Sequence, residues 1–293
     1  MLLRPDQVAT GPIDLLSLVE SMARRARGNH RMTEVKQHIP VAQLPLWDNE
    51  IRCMPNEILR SALFNARNKR LRREFMKQAA IAIIGDGRVT YTGEELRQDD
   101  ETVWLQLLHM ARERSVGCVV DFTPYSFCKA IGWAIDGRSY KRLRACLTRL
   151  QATALEIHSQ RLGEGISLSM IPIFRWWDEN TGKALPRYQV TIAHALVKLF
   201  EGTNYTRIEW EQRLALPDGI ATWLHGYYAT HSQPYSINLS TIQKGAGMTT
   251  KRAKHVHEPV ARALEALTRV GFLESWKIVG ELVSVQRTGK RKR

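Results

Sequence analysis

The sequence predicts an α+β protein that carries one small unit twice behind an N-terminal arm. Three observations predict it. The order short helix, tight turn, longer helix, pair of strands occurs in two places. Each of the two longer helices has a cationic side opposite an apolar one. The chain before Met54 lacks the globular texture of the remainder.

Residues 1–54 read as the arm. Ile13, Leu15, Leu16, Val19 and Met22 recur at helical spacing, and Arg24, Arg25 and Arg27 follow where the helix dipole favours cations. This is a docking helix for a partner protein or a helix lying on the domain surface. From Met54 the first round begins. Ala79 to Ile84 and Val89 to Thr92 read as short strands, and Asp99-Asp100-Glu101 opens a helix running through Trp104, Leu107, Leu108 and Ala111. Three carboxylates there resemble a metal cluster, but acids in a first turn ordinarily answer the helix dipole. Cys118 to Phe122 reads as β-rich. Thr123 as N-cap and Pro124 as first helical residue start a short helix that ends at Ile131-Gly132-Trp133. A tight connection leads to a longer helix from Arg138 to about Ala154, then to strands near Leu155 to Gln160 and Ser167 to Trp177.

The second round follows the polar turn Asn180-Thr181-Gly182-Lys183. Arg187 to Ile192 is a strand, Ala193 to Phe200 a short helix, and Glu211 to Ala229 a helix. Ser240 to Lys244 gives another short helix. Thr249-Thr250 opens a long one to Val270, and Phe272 to Val279 and Glu281 to Gln286 make a hairpin turning at Gly280. Helix, turn, longer helix, hairpin is the layout of a winged helix-turn-helix. The predicted organisation is therefore two tandem winged-helix domains, 55–185 and 186–287, with a basic tail at 288–293.

Helical positions advance by 100° per residue, so faces follow from the sequence. Around Arg138, the residues Lys141, Arg142, Ala145 and Arg149 fall on one side, while Tyr140, Leu143, Leu147, Leu150 and Ala154 fall on the other. This helix can sit on a core and present Arg138, Ser139, Lys141, Arg142 and Arg149 to DNA: arginine for guanine edges or phosphate, lysine for phosphate. In the second long helix Ala253, Val256, Val260, Ala263, Leu264 and Leu267 share the apolar side. Thr250, Lys251, Lys254 and His255 bunch toward its start, where recognition helices meet bases. Pro259 lies inside that pattern and lacks an N–H, which predicts a kink or restart and confines the reading residues to Thr249–Glu258. For either helix the alternative is a solvated basic face. Ser61 to Lys77 is also dense in cations, on no single helical face, and reads as a basic connector that touches DNA backbone.

Composition agrees with this partner. With 43 Lys and Arg against 29 Asp and Glu, the formal net charge is +14, which favours a polyanion through phosphate neutralisation and counterion release. Apolar runs such as Ile81 to Ile84 are too short to span a bilayer, and no secretory layout opens the chain, so a cytoplasmic, membrane-free location is expected. Cys53, Cys118, Cys128 and Cys146 form no CxxC pair, so buried free thiols are expected rather than a zinc or redox site.

The segments MPNEILRSALFNARNK from Met54, VTYTGEELRQDD from Val89 and GWAIDGRSYKRLRACLTRLQATA from Gly132 closely resemble the TrfA family of plasmid replication initiators. The match runs from about Gln43 almost to the C-terminus; residues 1–40 show none. The resemblance implies two winged-helix domains that bind repeated origin sites (iterons) in double-stranded DNA, open an adjacent A·T-rich region and bring in the host initiator and replicative helicase. It implies DNA contacts by Arg138, Lys141 and Arg142 in the first domain and by Lys251, Arg252 and Lys254 in the second. Gln43-Leu44-Pro45-Leu46-Trp47 looks like the pentapeptide by which bacterial proteins bind the sliding clamp: Gln43 orients, and Leu44, Leu46 and Trp47 are the apolar contacts. The other reading is that Trp47 packs onto the first domain. Monomers and homodimers both remain open as the active form.

No enzyme and no cofactor are expected. Gly245 to Lys251 imitates a phosphate-binding loop without the order GxxxxGK[ST]. His255 and His257 are poorly spaced for joint metal ligation. Tyr227 and Tyr228 could serve a recombinase only beside convergent basic groups. A winged-helix repressor is the nearer rival to an initiator, and a DNA-cleaving enzyme the more distant one.

Overall fold

A computed structural model describes residues 43–289 except 86, 115, 116, 118, 160–163, 179–180 and 251–253. The N-terminal helix, Cys118, Lys251, Arg252 and the tail from residue 290 therefore lie outside the described residues. The protein is mixed α and β, with two hydrophobic cores along the chain.

The first core is built around one helix, α2 (Gln98–Ala111). Strand β1 (Ile51–Pro55), the short helix α1 (Asn56–Leu59) and β2 (Phe64–Asn65) precede it, with β3 (Phe75–Ile81), β4 (Arg88–Glu94) and β5 (Leu96–Arg97). Val103, Trp104, Leu105, Leu107 and Leu108 of α2 are all fully buried. Most of its polar residues are buried too, and they have partners from elsewhere in the chain. Gln98 donates to the Phe64 carbonyl at 2.6 Å, Gln106 accepts from Arg52 at 2.8 Å, and Glu101 faces Arg213 at 3.4 Å. A buried polar group without a partner costs about 1–3 kcal/mol, so these pairings fix which elements can surround α2.

After α2 come β6 (Val119–Phe122) and α3 (Pro124–Ala130), whose N-cap Thr123 accepts from the Ser126 N–H at 3.0 Å. Then come α4 (Gly137–Gln151), β7 (Ala154–Ser159), β8 (Glu164–Leu168), β9 (Ile173–Asp178) and β10 (Lys183–Thr191). One antiparallel sheet has the order β3-β4-β7-β8 and another the order β6-β10-β9. The expected second strand, Ser167 to Trp177, is thus two strands in different sheets.

A 3-10 segment (His194–Thr203) and β11 (Tyr205–Glu209) complete this half, because β11 pairs antiparallel with β1, Ile51 opposite Glu209. The expected division at 185/186 is corrected by packing. Val190, Ile192, Leu196, Leu199, Phe200 and Ile208 belong to the first core, and the second core begins at Leu216. The arm ending at residue 54 is corrected as well. Leu44, Trp47 and Ile51 are core residues, the Trp47 ring stacks on Phe200 and its Nε1 donates to His109 Nδ1 at 3.1 Å.

In the second half, α5 (Trp210–Ala215) and α6 (Ile220–Ala229) replace the single helix expected over Glu211–Ala229. The sequence Leu216-Pro217-Asp218-Gly219 breaks it, with Gly219 at φ +119°. Then follow β12 (Ile237–Asn238), α7 (Leu239–Gly245), α8 (Lys254–Arg269), β13 (Leu273–Val279) and β14 (Leu282–Arg287) in a sheet ordered β12-β14-β13. Short helix, connection, longer helix and hairpin therefore occur as α3, α4, β7–β8 and as α7, α8, β13–β14. Helix α8 runs without restart through Pro259. Thr249 and Thr250 lie outside the helix, which is described from Lys254 onward, and Pro259 within it forfeits one backbone bond, to the His255 carbonyl.

The halves are wedged together through the end of α7. The Ala66 N–H donates to the Ala246 carbonyl at 2.8 Å. A Cβ on Gly245 would lie 2.5 Å from Ile84 Cδ1, and one on Gly247 would lie 2.7 Å from Asn65 Cβ. These glycines allow close approach of two chain segments. They do not form a phosphate cradle.

Candidate nucleic-acid interface

Helix α4 has the division of faces that its sequence predicts, with one exception. Asp136 caps it by accepting the Ser139 N–H at 2.7 Å, so the Ser139 backbone serves the helix start. Leu143, Cys146, Leu147 and Leu150 are buried. Arg138, Lys141 and Arg144 are exposed, and Arg144 lies over the Trp176 ring of β9 at 4.3 Å, a pairing of helix and following strand that the helical wheel does not reveal.

Arg142 is half-buried. Its guanidinium lies over the Trp133 ring at 4.0 Å and faces Asp99 and Asp218, each at 3.4 Å. Trp133 belongs to the turn before α4, Asp99 to α2 and Asp218 to the second half, so three elements converge on this one side chain.

Arg149 is the exception, and its expected role in DNA contact is corrected. Only 11% of its side chain is exposed, and it donates to Asp100 Oδ1 at 3.0 and 2.8 Å. Asp100 is fully buried, also meets Arg73 at 2.7 Å and accepts the Arg97 N–H at 2.9 Å. Burial, with the adjacent Asp99 charge, pushes the Asp100 carboxyl above the usual range against the pull of Arg149 and Arg73. For Asp99 burial works the same way, but Arg73 and Arg142 prevail and hold it below its usual value. Asp99, Asp100 and Cys146 place ligand atoms within 4.8 Å of one another. The set does not suit a cation: both carboxylates are engaged by arginines, and burial pushes the Cys146 thiol well above its ordinary pKa.

In α8, Val256, Val260, Ala263, Leu264 and Leu267 are buried while His255, Arg262 and Arg269 are not. Thr250 precedes the helix, and its carbonyl accepts from Gln243 of α7. Lys254 lies within the helix as described. An open groove of about 700 Å³ joins the two halves: Asp99 and Arg142 line it from one, and Asp218, Thr250, His255 and Arg262 from the other. The expected reading residues that reach this groove are Arg142, Thr250 and His255.

The expected clamp motif is not displayed as an extended peptide. Leu44 is 2% and Trp47 6% exposed, whereas Leu46 is 67% exposed, and the Gln43 side chain donates to the Arg112 carbonyl at 3.2 Å. Packing of Trp47 onto the first half is the reading that holds. Tyr227 and Tyr228 are 1% exposed, and burial pushes both hydroxyls up, Tyr227 to about 12, which ill suits either as a nucleophile. Among the described residues no helix is long and apolar enough to cross a membrane.

Solved structures share this architecture. Domains 2 and 3 of RctB align with a TM-score of 0.56 at 11% identity over 80% of this chain and 98% of that one. A second structure of RctB domains 2–3 gives 0.50 at 13% identity over 78% and 94%. The fold is thus that of RctB domains 2 and 3. Residues 11–287 match the TrfA protein family, and the plasmid replication initiator protein TrfA of Escherichia coli is 36% identical over 277 residues, 94% of this chain and 72% of that protein. The chain belongs to the TrfA family. The match begins at residue 11, so it reaches further into the N-terminal segment than the motifs from Gln43 onward indicate.

Proposed function

We infer that this chain is a plasmid replication initiator that grips double-stranded origin repeats with two winged-helix units. Family membership supports the initiator role. The observation that carries the mode of binding is the shared groove, which Arg142 of α4 lines together with Thr250 before α8 and His255 and Arg262 within it. Two basic helices in tandem units suit one duplex, with each unit offering a helix to a major groove. Arg138 and Lys141 would neutralise phosphates and so set register, while Arg142, steered by Trp133 and Asp99, would read a base edge. Lys251 and Arg252, expected at the same contact, lie outside the described residues. Opening of A·T-rich DNA and recruitment of the host initiator, helicase and sliding clamp rest on the family resemblance. Clamp binding through Leu44 and Trp47 would first require that segment to leave the core.

The test is titration of the wild type and Arg142→Ala against a cognate repeat and a scrambled duplex. A base contact predicts a loss of about 1–3 kcal/mol on the cognate site only; equal losses on both would assign Arg142 to phosphate. Supplying the gene in trans to an origin that lacks its initiator separates initiator from repressor, since only an initiator restores plasmid maintenance. Incubating supercoiled DNA with magnesium tests the non-catalytic reading, and nicking would overturn it.

A further inference from the structure

The segment between β2 and β3 contains five cations in seven residues, Arg67, Lys69, Arg70, Arg72 and Arg73. The fold sorts them into two groups. Arg67 and Arg73 turn inward: Arg67 faces Glu74 at 3.0 Å and Glu95 at 3.2 Å, and Arg73 faces Asp99 at 2.8 Å and Asp100 at 2.7 Å. Between these two anchors Lys69, Arg70 and Arg72 point away from the core, and among the described residues none of the three makes a salt bridge.

This stretch is held in shape by one buried side chain. Arg97, only 3% exposed, donates to the carbonyls of Asn68 and Leu71 at 2.9 Å each and of Arg72 at 3.2 Å, while its charge is met by Glu95 at 2.7 Å. Asn68 adds a local turn, its Oδ1 accepting the Arg70 N–H at 2.9 Å. Tethering three carbonyl sites with one guanidinium fixes the loop before any partner arrives, which lowers the ordering cost of binding.

Its position places one of the three free cations, Lys69, on the groove. Asn68, Lys69 and Leu71 wall the same groove as Arg142 of α4 and Thr250 and His255 near the start of α8. When two helices occupy successive major grooves on one face of a duplex, the strip facing the protein between them is a minor groove flanked by phosphates. We propose that the loop Lys69–Arg72 is a preformed third DNA contact, which seats its three free cations on the phosphates bordering that central minor groove. The proposal rests on the duplex-binding reading above and adds an element which that reading does not contain. Phosphate contacts of this kind carry affinity and salt dependence but no sequence information.

The test uses the full chain with Lys69→Ala, Arg70→Ala and Arg72→Ala combined, at positions whose replacement leaves the Arg97 scaffold of backbone carbonyls in place. Binding to a cognate duplex is measured across a salt series, and hydroxyl-radical footprints are taken at saturating protein. The slope of log affinity against log salt should fall in magnitude by about 2 to 3, one contact per cation removed. Cognate and scrambled duplexes should lose affinity equally. Protection should vanish from the centre of the site while both flanking blocks persist. An unchanged slope, or a centre still protected, overturns the proposal, as does loss of all three blocks together in a variant with an unaltered thermal transition. If the wild type itself protects no duplex, the underlying reading fails instead.

Discussion

Arg149 separates a fold-supporting arginine from a DNA-reading one, and the two roles predict opposite measurements. Replacing it by methionine keeps the buried stem but removes the charge that faces Asp100, a carboxylate with no exposed surface. Breaking a buried ion pair from one side costs about 3–5 kcal/mol, since the other charge stays buried and unpaired. Here the damage is limited, because Asp100 keeps Arg73 at 2.7 Å and the Arg97 N–H at 2.9 Å. It also stands ready to take up a proton, its acidity already weakened by burial. A loss of about 2–4 kcal/mol is therefore expected, read as a lower urea midpoint at neutral pH. The sign of the pH dependence is fixed by the same carboxylate. Without Arg149 the folded-state pKa of Asp100 rises further above its unfolded value, so the deficit grows as pH rises and shrinks as falling pH protonates Asp100. Under conditions where the variant is folded, its affinity for a cognate duplex should match that of the wild type. An unchanged urea midpoint together with weakened duplex binding would refute this reasoning and return Arg149 to the interface.

Trp47→Ala should destabilise the protein by about 3–5 kcal/mol, through the emptied core volume and the lost bond to His109, whereas Leu46→Ala at the exposed neighbour should stay within about 0.5 kcal/mol; equal thermal shifts would contradict this placement. His225 is buried and, among the described residues, neither ring nitrogen has a hydrogen-bond partner; burial and the nearby Arg213 and Arg287 lower its pKa to about 3. Its neutral form thus supports the fold above the unfolded value near 6.5 and loses that support as pH falls toward 3, by up to about 1.4 kcal/mol per pH unit. Urea midpoints of His225→Leu should therefore decline less steeply below pH 6.5 than those of the wild type, and parallel curves would refute the assignment. Gly247→Ala meets both a φ of +64° and the Asn65 Cβ at 2.7 Å, and should cost about 2 kcal/mol in a chemical denaturation curve.

What the sequence makes legible is what depends on near neighbours. Helices α2, α4 and α8 are written in apolar spacing, and the cap at Thr123 marks the start of α3. The errors at Arg149 and Trp47 come from partners far along the chain. Arg149 sits on the cationic side of a helical wheel, yet the carboxylate that draws it inward comes from the first turn of α2, 49 residues earlier. Those same acids read locally as answers to a helix dipole. Trp47 resembles the anchor of a peptide motif because its stacking partner, Phe200, is remote in sequence. The groove is half legible: both basic faces can be drawn, but not that Asp218 of the second half meets Arg142 of the first. The loop Lys69–Arg72 is visible as charge alone, since nothing local tells an inward arginine from an outward one.

The pairing of β1 with β11 has a consequence for how the molecule is made. Each of these strands has the other as its sheet partner, although Ile51 and Glu209 lie far apart along the chain. A nascent chain emerging from the ribosome cannot close its N-terminal half until Tyr205–Glu209 has left the exit tunnel. Most of the polypeptide must therefore be synthesised before Ile51 and Met54 are covered, and a fragment cut at residue 185 would lack the strand that seals it. Just past that strand the Trp210 indole donates to the Ala130 carbonyl at 3.0 Å and ties the same seam to the end of α3.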